Sequence, residues 1–172
     1  DTVSKAIASY ERTVISNNSD FDRWVKGDKS AMTADQINGF KLFVGKAKCD
    51  VCHSGPNFTD NGFHNLGLAS YGEPEPDLGR YSQRPLKMMK GAFKTPTLRE
   101  VTRTAPYFHD GSGATLEEVV RHYNDGGVVT TNLSPNMEKL NLSDKEVADL
   151  VAFLKALESP YVAVALPELP LQ

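Results

Sequence analysis

The sequence predicts an all-α domain in which a few short helices are joined by long irregular loops. Near both ends of the chain, serine or threonine residues suited to helix capping precede apolar residues at helical spacing. Between residues 54 and 95, by contrast, Gly, Pro, Asn and Asp are abundant and the apolar residues show little periodicity. The two cysteines of the chain lie just ahead of this irregular region, at positions 49 and 52, and a histidine follows them directly.

Two helices are predicted in the first third of the chain. Ile7, Tyr10 and Val14 recur at the spacing of one helix face. A Thr-x-x-Gln capping box at 33–36 opens a second helix, whose apolar pattern continues to Val44. This second helix leads straight into the cysteines.

Two further helices are predicted in the last third. A Thr-x-x-Glu box at 115–118 precedes an apolar pattern that runs to Tyr123, and Gly126 ends that helix. A Ser-x-x-Glu box at 143–146 opens the last helix, which Pro160 is expected to stop. Its apolar stripe consists of Val147, Leu150, Val151, Leu154 and Leu157.

Length and composition predict one globular domain with an extension at each end. The 172 residues are 40% hydrophobic and carry a formal net charge of −3, which lacks the basic footprint of a nucleic-acid-binding protein. No apolar run is long enough to span a membrane. We expect an N-terminal helix and linker at 1–30, the domain proper at 31–158 and a tail at 159–172 that contains Pro167 and Pro170.

The Cys-x-x-Cys-His motif at 49–53 predicts a covalently attached c-type haem. Cys49 and Cys52 are close enough along the chain for both thiols to form thioethers with the haem vinyl groups, and His53 can then bind the iron. A redox dithiol belongs near a βαβ pattern, a zinc site needs a second ligand pair, and a disulfide across two residues would be strained. The irregular stretch 54–95 fits the haem, because such loops can wrap a large flat cofactor.

The motif also predicts where the protein works. A c-type haem is normally attached outside the cytoplasm, so we expect a periplasmic protein. There is no signal peptide at Asp1. We therefore expect that Asp1 is not the natural start and that a leader, and possibly more, has been removed.

The residues alone leave the ligand on the other face of the iron open. The candidates are Met32, Met88, Met89, Met137, His64, His109, His122 and Tyr123. Met137 precedes the last helix, where small monohaem cytochromes c often carry a ligand methionine, but its setting is equally typical of an apolar anchor under a loop. Met88 and Met89 lie in a basic, glycine-flanked loop, and nothing specifies either of them as the ligand.

Other side chains are candidates for the walls of the haem pocket. Four basic residues could pair with the haem propionates or equally be surface charges: Arg80, Arg84, Lys94 and Arg99. Four aromatic residues are expected to line the pocket: Phe58, Phe63, Tyr107 and Phe108. His64 and His109 are expected to order loops, and Trp24, after a helix, to pack or to relay electrons.

Motifs beyond the haem signature resemble one known family. In order along the chain they are Cys-His-Ser-Gly-Pro-Asn-Phe-Thr-Asp (52–60), Gly-Ala-Phe-Lys-Thr-Pro-Thr-Leu-Arg (91–99), Thr-Ala-Pro-Tyr-Phe-His-Asp-Gly (104–111) and Thr-Leu-Glu-Glu-Val-Val-Arg-His-Tyr-Asn (115–124). They strongly resemble the C-terminal half of the bacterial di-haem cytochrome c peroxidase and MauG family. The opening segment 8–24 is similar to the part that follows that family's first haem domain, so the resemblance runs from about residue 6 to residue 157.

The resemblance implies a cytochrome-c-like domain of a two-haem enzyme. Family members have two such domains with one covalent haem each; the N-terminal haem meets hydrogen peroxide, and the six-coordinate C-terminal haem exchanges or stores electrons. The distal ligand of the C-terminal haem is methionine in the peroxidases and tyrosine in MauG-like proteins, and Tyr123 stands at that position here. Thr104 and Pro106 match the residues whose main-chain carbonyls help to hold a calcium ion between the domains.

A tyrosine at position 123 has a chemical consequence. A phenolate is hard and stabilises Fe(III), whereas a methionine thioether favours Fe(II). We therefore predict a low-potential, six-coordinate haem suited to sharing oxidising equivalents. A tyrosine that only hydrogen-bonds beside the haem, with Met137 as a possible ligand instead, is the alternative. Ligation is favoured because Tyr123 faces the same side of its helix as Leu116, Val119 and Val120.

The leading functional hypothesis is that this chain is the C-terminal haem domain of a two-haem peroxidase or MauG-like oxidoreductase. Its partners would be the missing N-terminal haem domain and a small electron-donor protein or a protein substrate. Because a six-coordinate haem offers peroxide no open site, the isolated chain is expected to be a weak or inactive enzyme. A stand-alone monohaem electron carrier without catalysis is the alternative, and a haem-based sensor or binding module is a third.

Overall fold

The computed structural model describes residues 1–161, and within them the chain forms five α-helices and one small sheet. The helices are α1 (Thr2–Glu11), α2 (Asp20–Val25), α3 (Ala34–Val44), α4 (Leu116–Asp125) and α5 (Asp144–Lys155). The strands are β1 (Phe63–His64) and β2 (Phe93–Lys94). The predicted all-α class is confirmed. Most of the predicted tail, including Pro167 and Pro170, lies outside the described residues.

Four of the helices begin at a complete capping box, in which the cap side chain and the side chain three residues later bind each other's backbone amides. The four caps are Ser19, Thr33, Thr115 and Ser143. Such a cap stabilises its helix by about 1 kcal/mol. Three of these starts match predicted helices. The box at Ser19 opens a helix that the apolar periodicity does not predict, so Trp24 lies inside a helix and not after one.

Helix α3 packs closely against α5, and these two helices form the centre of the core. Gly39 permits the approach, because a Cβ at this position would lie 1.9 Å from the carbonyl oxygen of Asp149. The side-chain amide of Asn38 donates to Asp149 Oδ2 at 2.6 Å. The most buried apolar side chains around this contact are Phe43, Val147, Leu150, Phe153 and Leu157.

Helix α5 is shorter than predicted. It ends at Lys155, well before Pro160, so Leu157 is buried in the turn that follows and not on the helix stripe. The turn is held by another segment, since the backbone N–H of Phe21 donates to the carbonyl of Ala156 at 3.1 Å. Pro160, four residues after Ala156, has no N–H, so this carbonyl has no helical donor and Phe21 takes that place.

The irregular middle of the chain contains the two short strands and several 3₁₀ turns. β1 pairs with β2 in antiparallel register, with Phe63 opposite Lys94 and His64 opposite Phe93. Strands of two residues are too short to produce a periodic sequence pattern, which is why the sequence does not predict them. Their loops form part of the wall of a large cavity.

Candidate haem site

A cavity of about 710 Å³ lies where the Cys-x-x-Cys-His motif, α4, α5 and the irregular loops meet. Cofactor sites in proteins commonly enclose about 300–1,000 Å³. Much of the wall is apolar and includes Phe43, Leu98, Leu116, Val120, Leu150 and Leu154. The predicted site residues that line this cavity are Cys49, Cys52, His53, Thr104, Pro106, Tyr123 and Met137.

Both cysteines are free and partly buried, and they open on the cavity from a 3₁₀ turn that follows α3. Burial, followed by the nearby Asp50 and Cys52, raises the pKa of Cys49 to about 12. Burial also raises the pKa of Cys52. Burial therefore favours the neutral thiol form of both sulfurs. Both thiols line the apolar cavity three positions apart, as attachment of one haem by two thioethers requires.

The ring of His53 is oriented by a single backbone contact. Its Nδ1 lies 2.8 Å from the carbonyl oxygen of Phe58, and since a carbonyl can only accept, Nδ1–H donates and Nε2 keeps its lone pair. Burial lowers the pKa of His53 and outweighs the hydrogen bond to Phe58, which acts in the opposite direction. A neutral imidazole with one nitrogen anchored to the backbone is the usual form of a histidine that binds a metal.

Tyr123 projects into the same cavity from α4. Leu116, Val119 and Val120 line the cavity beside it, as expected from their common helix face. Among residues 1–161 the Tyr123 hydroxyl has no hydrogen-bond partner. Burial raises the pKa of Tyr123, and the nearby cysteine thiols raise it further. A hydroxyl that lines the cavity without a protein partner is available to a group inside it.

The structure separates the other candidates for the distal ligand. Met137 lines the cavity, as do His64 and His109. Met32 is buried in the main core, and Met88 is 71% exposed. Neither methionine of the 88–89 pair is part of the cavity wall, nor is His122, whose Nε2 lies 2.8 Å from the carbonyl of Leu66.

Two histidines in the cavity wall hold loops together, as predicted. His64 Nε2 lies 2.9 Å from Asp60 Oδ2. Burial alone would raise the pKa of Asp60, but hydrogen bonds from His64, Thr95 and the loop backbone lower it to about 2. The His109 ring stacks on Phe93, with ring centres 3.4 Å apart.

Of the four basic residues that could pair with the propionates, one lines the cavity. Lys94 lines the cavity. Arg99 does not, because both of its terminal nitrogens bind Asp22 at 2.9 Å in a nearly buried ion pair. Arg80 lies over the ring of Phe63 at 4.7 Å, and neither Arg80 nor Arg84 is part of the wall.

The aromatic predictions divide in the same way. Tyr107 and Phe108 line the cavity, whereas Phe58 and Phe63 do not. Phe58 instead packs in the core beside the histidine turn, where it is only 6% exposed. The ring of Phe58 packs among aromatic side chains of α2, α3 and α5. Its contribution to the site is its backbone carbonyl, which accepts from His53.

Several loop residues that line the cavity were not predicted, because the sequences of loops show no periodic apolar pattern. Asp110 is an example: Ser70 Oγ and Ser112 Oγ donate to its carboxylate at 2.6 and 2.7 Å. Burial alone would raise the pKa of Asp110, but these hydrogen bonds lower it to about 2. The Asp-Gly-Ser turn could be recognised from sequence, but its contact with Ser70, forty positions away, could not.

Two known protein families match the sequence of this chain. A sequence model of the cytochrome c family matches residues 36–158. The chain belongs to the cytochrome c family. A model described as di-haem cytochrome c peroxidase matches residues 1–30. A cytochrome c domain carries a covalent c-type haem, and the paired neutral thiols, the oriented His53 and the apolar walls fit that group.

The cytochrome c domain has relatives among two-haem enzymes, which confirms the predicted resemblance. It is 45% identical to the methylamine utilization protein MauG of Methylorubrum extorquens over 98% of this chain and 47% of the relative. It is 36% identical to the cytochrome c551 peroxidase of Nitrosomonas europaea over 99% of this chain and 48% of the relative. The chain thus spans about half the length of the curated relatives that it matches.

A solved structure agrees with this relationship. The cytochrome c domain superposes on a MauG-like protein associated with microbial copper homeostasis with a TM-score of 0.82 and 32% identity. The match covers 90% of this chain and 56% of the other. Within residues 1–161, no helix has the length and apolar character needed to cross a membrane.

Proposed function

We propose that this chain is one of the two haem domains of a peroxidase-like or MauG-like oxidoreductase. Its single c-type haem would store or relay oxidising equivalents from hydrogen peroxide that is activated at the partner haem. The observation that carries the proposal is the hydroxyl of Tyr123, which faces the cavity of Cys49, Cys52 and His53 without a hydrogen-bond partner in the described part of the chain. The naming of the relatives as MauG and peroxidase supports the same reading.

The residues of the motif anchor and orient the cofactor. Cys49 and Cys52 would hold it by two thioether bonds, and His53 would offer Nε2 because its Nδ1–H is bound to the carbonyl of Phe58. When bound, the haem supplies an iron that can change its oxidation state. The surrounding apolar side chains exclude water and so strengthen the electrostatic effect of every group that faces the iron.

Tyr123 determines the direction in which the protein shifts the reduction potential. A phenolate oxygen is hard and negatively charged, so it favours Fe(III) over Fe(II) and lowers the potential. Val119 and Val120 on the same helix face fix its position. A low-potential iron is readily oxidised, which suits a centre that takes up oxidising equivalents from a neighbour.

The remaining assignments concern the whole assembly. Residues 1–30 would be the helix and linker from the first haem domain, 31–158 the cytochrome c domain, and 159–172 a tail. The main-chain carbonyls of Thr104 and Pro106 would help to hold a calcium ion between the domains. The electron donor would be a small protein, or the substrate itself a protein, and the assembly would work in the periplasm.

Absorption and EPR spectra of the haem-loaded chain test the ligand assignment. We expect Tyr123→Phe to lose the low-spin signal of the six-coordinate wild type. Met137→Leu is the matched control, since it also changes a cavity-lining side chain and should leave the signal unchanged. The opposite pattern, with the signal lost only in Met137→Leu, would assign the ligand to the methionine and refute the role given to Tyr123.

A further inference from the structure

Residues 78–92 form a compact surface loop, which we call the basic loop, whose two ends are tied together. The backbone N–H of Arg80 donates to the carbonyl of Ala92 at 2.8 Å, and that of Gly91 donates to the carbonyl of Leu78 at 3.0 Å. Surface loops whose ends lie close together in this way are frequently functional. The basic loop is therefore a defined element of the surface and not a loose connection.

The basic loop carries four basic side chains and no acidic one, although the whole chain has a formal net charge of −3. The four are Arg80, Arg84, Lys87 and Lys90. Among residues 1–161 none of them forms a salt bridge. Lys90 Nζ lies over the ring of Tyr81 at 5.0 Å, and an aromatic ring holds a cation in place without cancelling its charge. The loop thus presents a concentrated positive charge.

Two exposed apolar side chains lie among these basic residues. Leu86 is 43% exposed and Met88 is 71% exposed. Methionine is flexible and polarizable, and it is common on surfaces that bind other proteins. An interface for a transient partner combines an apolar centre with a charged rim, in which the charges steer the encounter. The basic loop has both parts.

The basic loop adjoins the cavity proposed for the haem. Gly91, near the end of the loop, lines this cavity, as do both residues of β2. The carbonyl of Lys90 accepts from the side-chain amides of Asn65 and Asn132 at 3.2 and 2.9 Å. Since Asn65 also lines the cavity, a protein bound to the basic loop would lie beside the haem.

The acidic residues that precede the basic loop do not neutralise it. Glu73 and Asp77 line the cavity, whereas no residue from 78 to 90 does. Glu75 lies between them and is exposed. Outside the cavity, this stretch therefore presents the four positive charges of the loop against the single negative charge of Glu75.

We propose that the basic loop is the docking surface for an acidic redox protein that delivers electrons to the haem of this chain. The inference rests on the two-haem assembly proposed above and gives its electron donor a charge and a contact surface. Each encounter transfers one electron, which the redox centre of the partner loses and the oxidised haem iron gains. Two encounters supply the two electrons that, with two protons, reduce one hydrogen peroxide to two water molecules. Attraction by the loop would speed association, and its small area suits a partner that must leave after each transfer.

Photoinduced electron transfer to the haem-loaded chain tests the proposal. The probe is a lysine-rich cytochrome c whose iron is replaced by zinc, because an excited zinc porphyrin can give an electron to a ferric haem. Succinylation of its lysines replaces positive amines with negative carboxylates and yields an acidic probe with the same redox centre. At about 0.1 M salt the chain should quench the acidic probe at least about tenfold faster than the basic one. At about 1 M salt, where the screening length is about 3 Å, the preference should vanish.

This preference would identify a local surface. The chain as a whole is negative, so its net charge would favour the basic probe. Charges more than about 10 Å apart are largely screened at 0.1 M salt. A faster reaction with the acidic probe therefore requires a positive surface at the place where the electron enters.

Paired substitutions show whether the basic loop is that surface. Arg84→Glu with Lys87→Glu should lower the quenching rate of the acidic probe at least about tenfold. Lys41→Glu with Lys155→Glu is the matched control, because it changes the net charge equally at exposed positions of α3 and α5. The control should keep the preference for the acidic probe.

Three results would overturn the proposal. The first is equal quenching of the two probes at 0.1 M salt. The second is an equal loss in the loop and control variants, since net charge alone would then be responsible. The third is binding to phosphatidylglycerol vesicles that the loop variant abolishes while quenching is unchanged, which would make the loop a membrane contact. Quenching requires only a bound ferric haem, so a failure of the Tyr123 assignment or of the peroxide chemistry would be seen separately.

Discussion

Arg99 and Asp22 form a nearly buried ion pair that joins the turn behind His53 to α2. Their side chains are 12% and 11% exposed, and two parallel N–H···O contacts of 2.9 Å connect them. Arg99 also donates to the carbonyl of Pro56 at 2.6 Å. The pair therefore fixes the loop that carries Phe58, whose carbonyl orients the proximal histidine.

The protonation of Asp22 gives this pair a defined pH dependence. Burial would raise the pKa of Asp22, but hydrogen bonds from Arg99 and Ser19 outweigh burial, so the pKa lies below its ordinary value. A lowered folded-state pKa stabilises the fold above the unfolded pKa of about 3.9. That contribution is lost as the pH falls through the folded-state pKa of Asp22.

Asp22→Asn should remove this contribution. At pH 7 we expect the free energy of unfolding to fall by about 2–4 kcal/mol, because Arg99 is left nearly buried without its counter-charge. The variant should also show a flatter loss of stability between about pH 5 and pH 2 than the wild type. Urea denaturation of the haem-loaded chain across this range measures both effects.

Asp20→Asn is the control for this experiment. Asp20 pairs with Arg23 at 2.7 Å, but both side chains are about two-fifths exposed. Its loss should change the stability by less than about 1 kcal/mol. Equal effects of the two substitutions would contradict the role assigned to the buried pair.

At the scale of elements, the contact between α3 and α5 depends on one residue without a side chain. A Cβ at Gly39 would meet the carbonyl oxygen of Asp149 at 1.9 Å and Phe153 Cβ at 2.8 Å. Neither of these atoms belongs to the end of a flexible side chain. The two helices would have to move apart to admit even a methyl group.

Gly39→Ala should therefore destabilise the domain although alanine favours helices. Higher helix propensity would contribute about 1 kcal/mol in favour of the variant, whereas overpacking of a tight core costs about 1–3 kcal/mol and backbone contacts relax least. We expect a net loss of about 1–2 kcal/mol in urea denaturation. Lys41→Ala, at an exposed position of the same helix, should change stability by no more than about 0.5 kcal/mol. A Gly39→Ala variant as stable as the wild type would refute this account of the helix contact.

The sequence predicted the starts of α3, α4 and α5 and the ends of α3 and α4, but not the end of α5. The boxes at Thr33, Thr115 and Ser143 are complete within four residues, so the information is local. Just after the end of α5, the carbonyl of Ala156 accepts from the backbone N–H of Phe21, a contact between distant parts of the chain. No local pattern encodes such a contact.

At the scale of the whole molecule, the site residues set by local spacing could likewise be predicted, and those set by distant contacts could not. Cys49, Cys52 and His53 could be recognised as a candidate haem motif because haem attachment requires a fixed spacing along the chain, and all three line the cavity. Tyr123 came from a family resemblance, and the cavity it lines agrees with that resemblance without testing ligation. For Arg99 the sequence left propionate pairing and a surface charge open, and it revealed neither the nearly buried pair with Asp22 nor its position 77 residues away.

The proposed assembly also predicts how the isolated chain should react with hydrogen peroxide. If His53 and Tyr123 bind the two faces of the iron, as proposed, peroxide would have no open site and the haem-loaded chain should react slowly. Tyr123→Ala should open one face and raise the rate at least about tenfold, which corresponds to about 1.4 kcal/mol of barrier.

Tyr107→Ala also enlarges the cavity but removes no proposed ligand, so it should react as slowly as the wild type. Stopped-flow absorption of the haem band measures the three rates. Rapid turnover by the wild-type chain, or equal acceleration in both variants, would show that the second face of the iron is open and that the partner domain is not needed to activate peroxide.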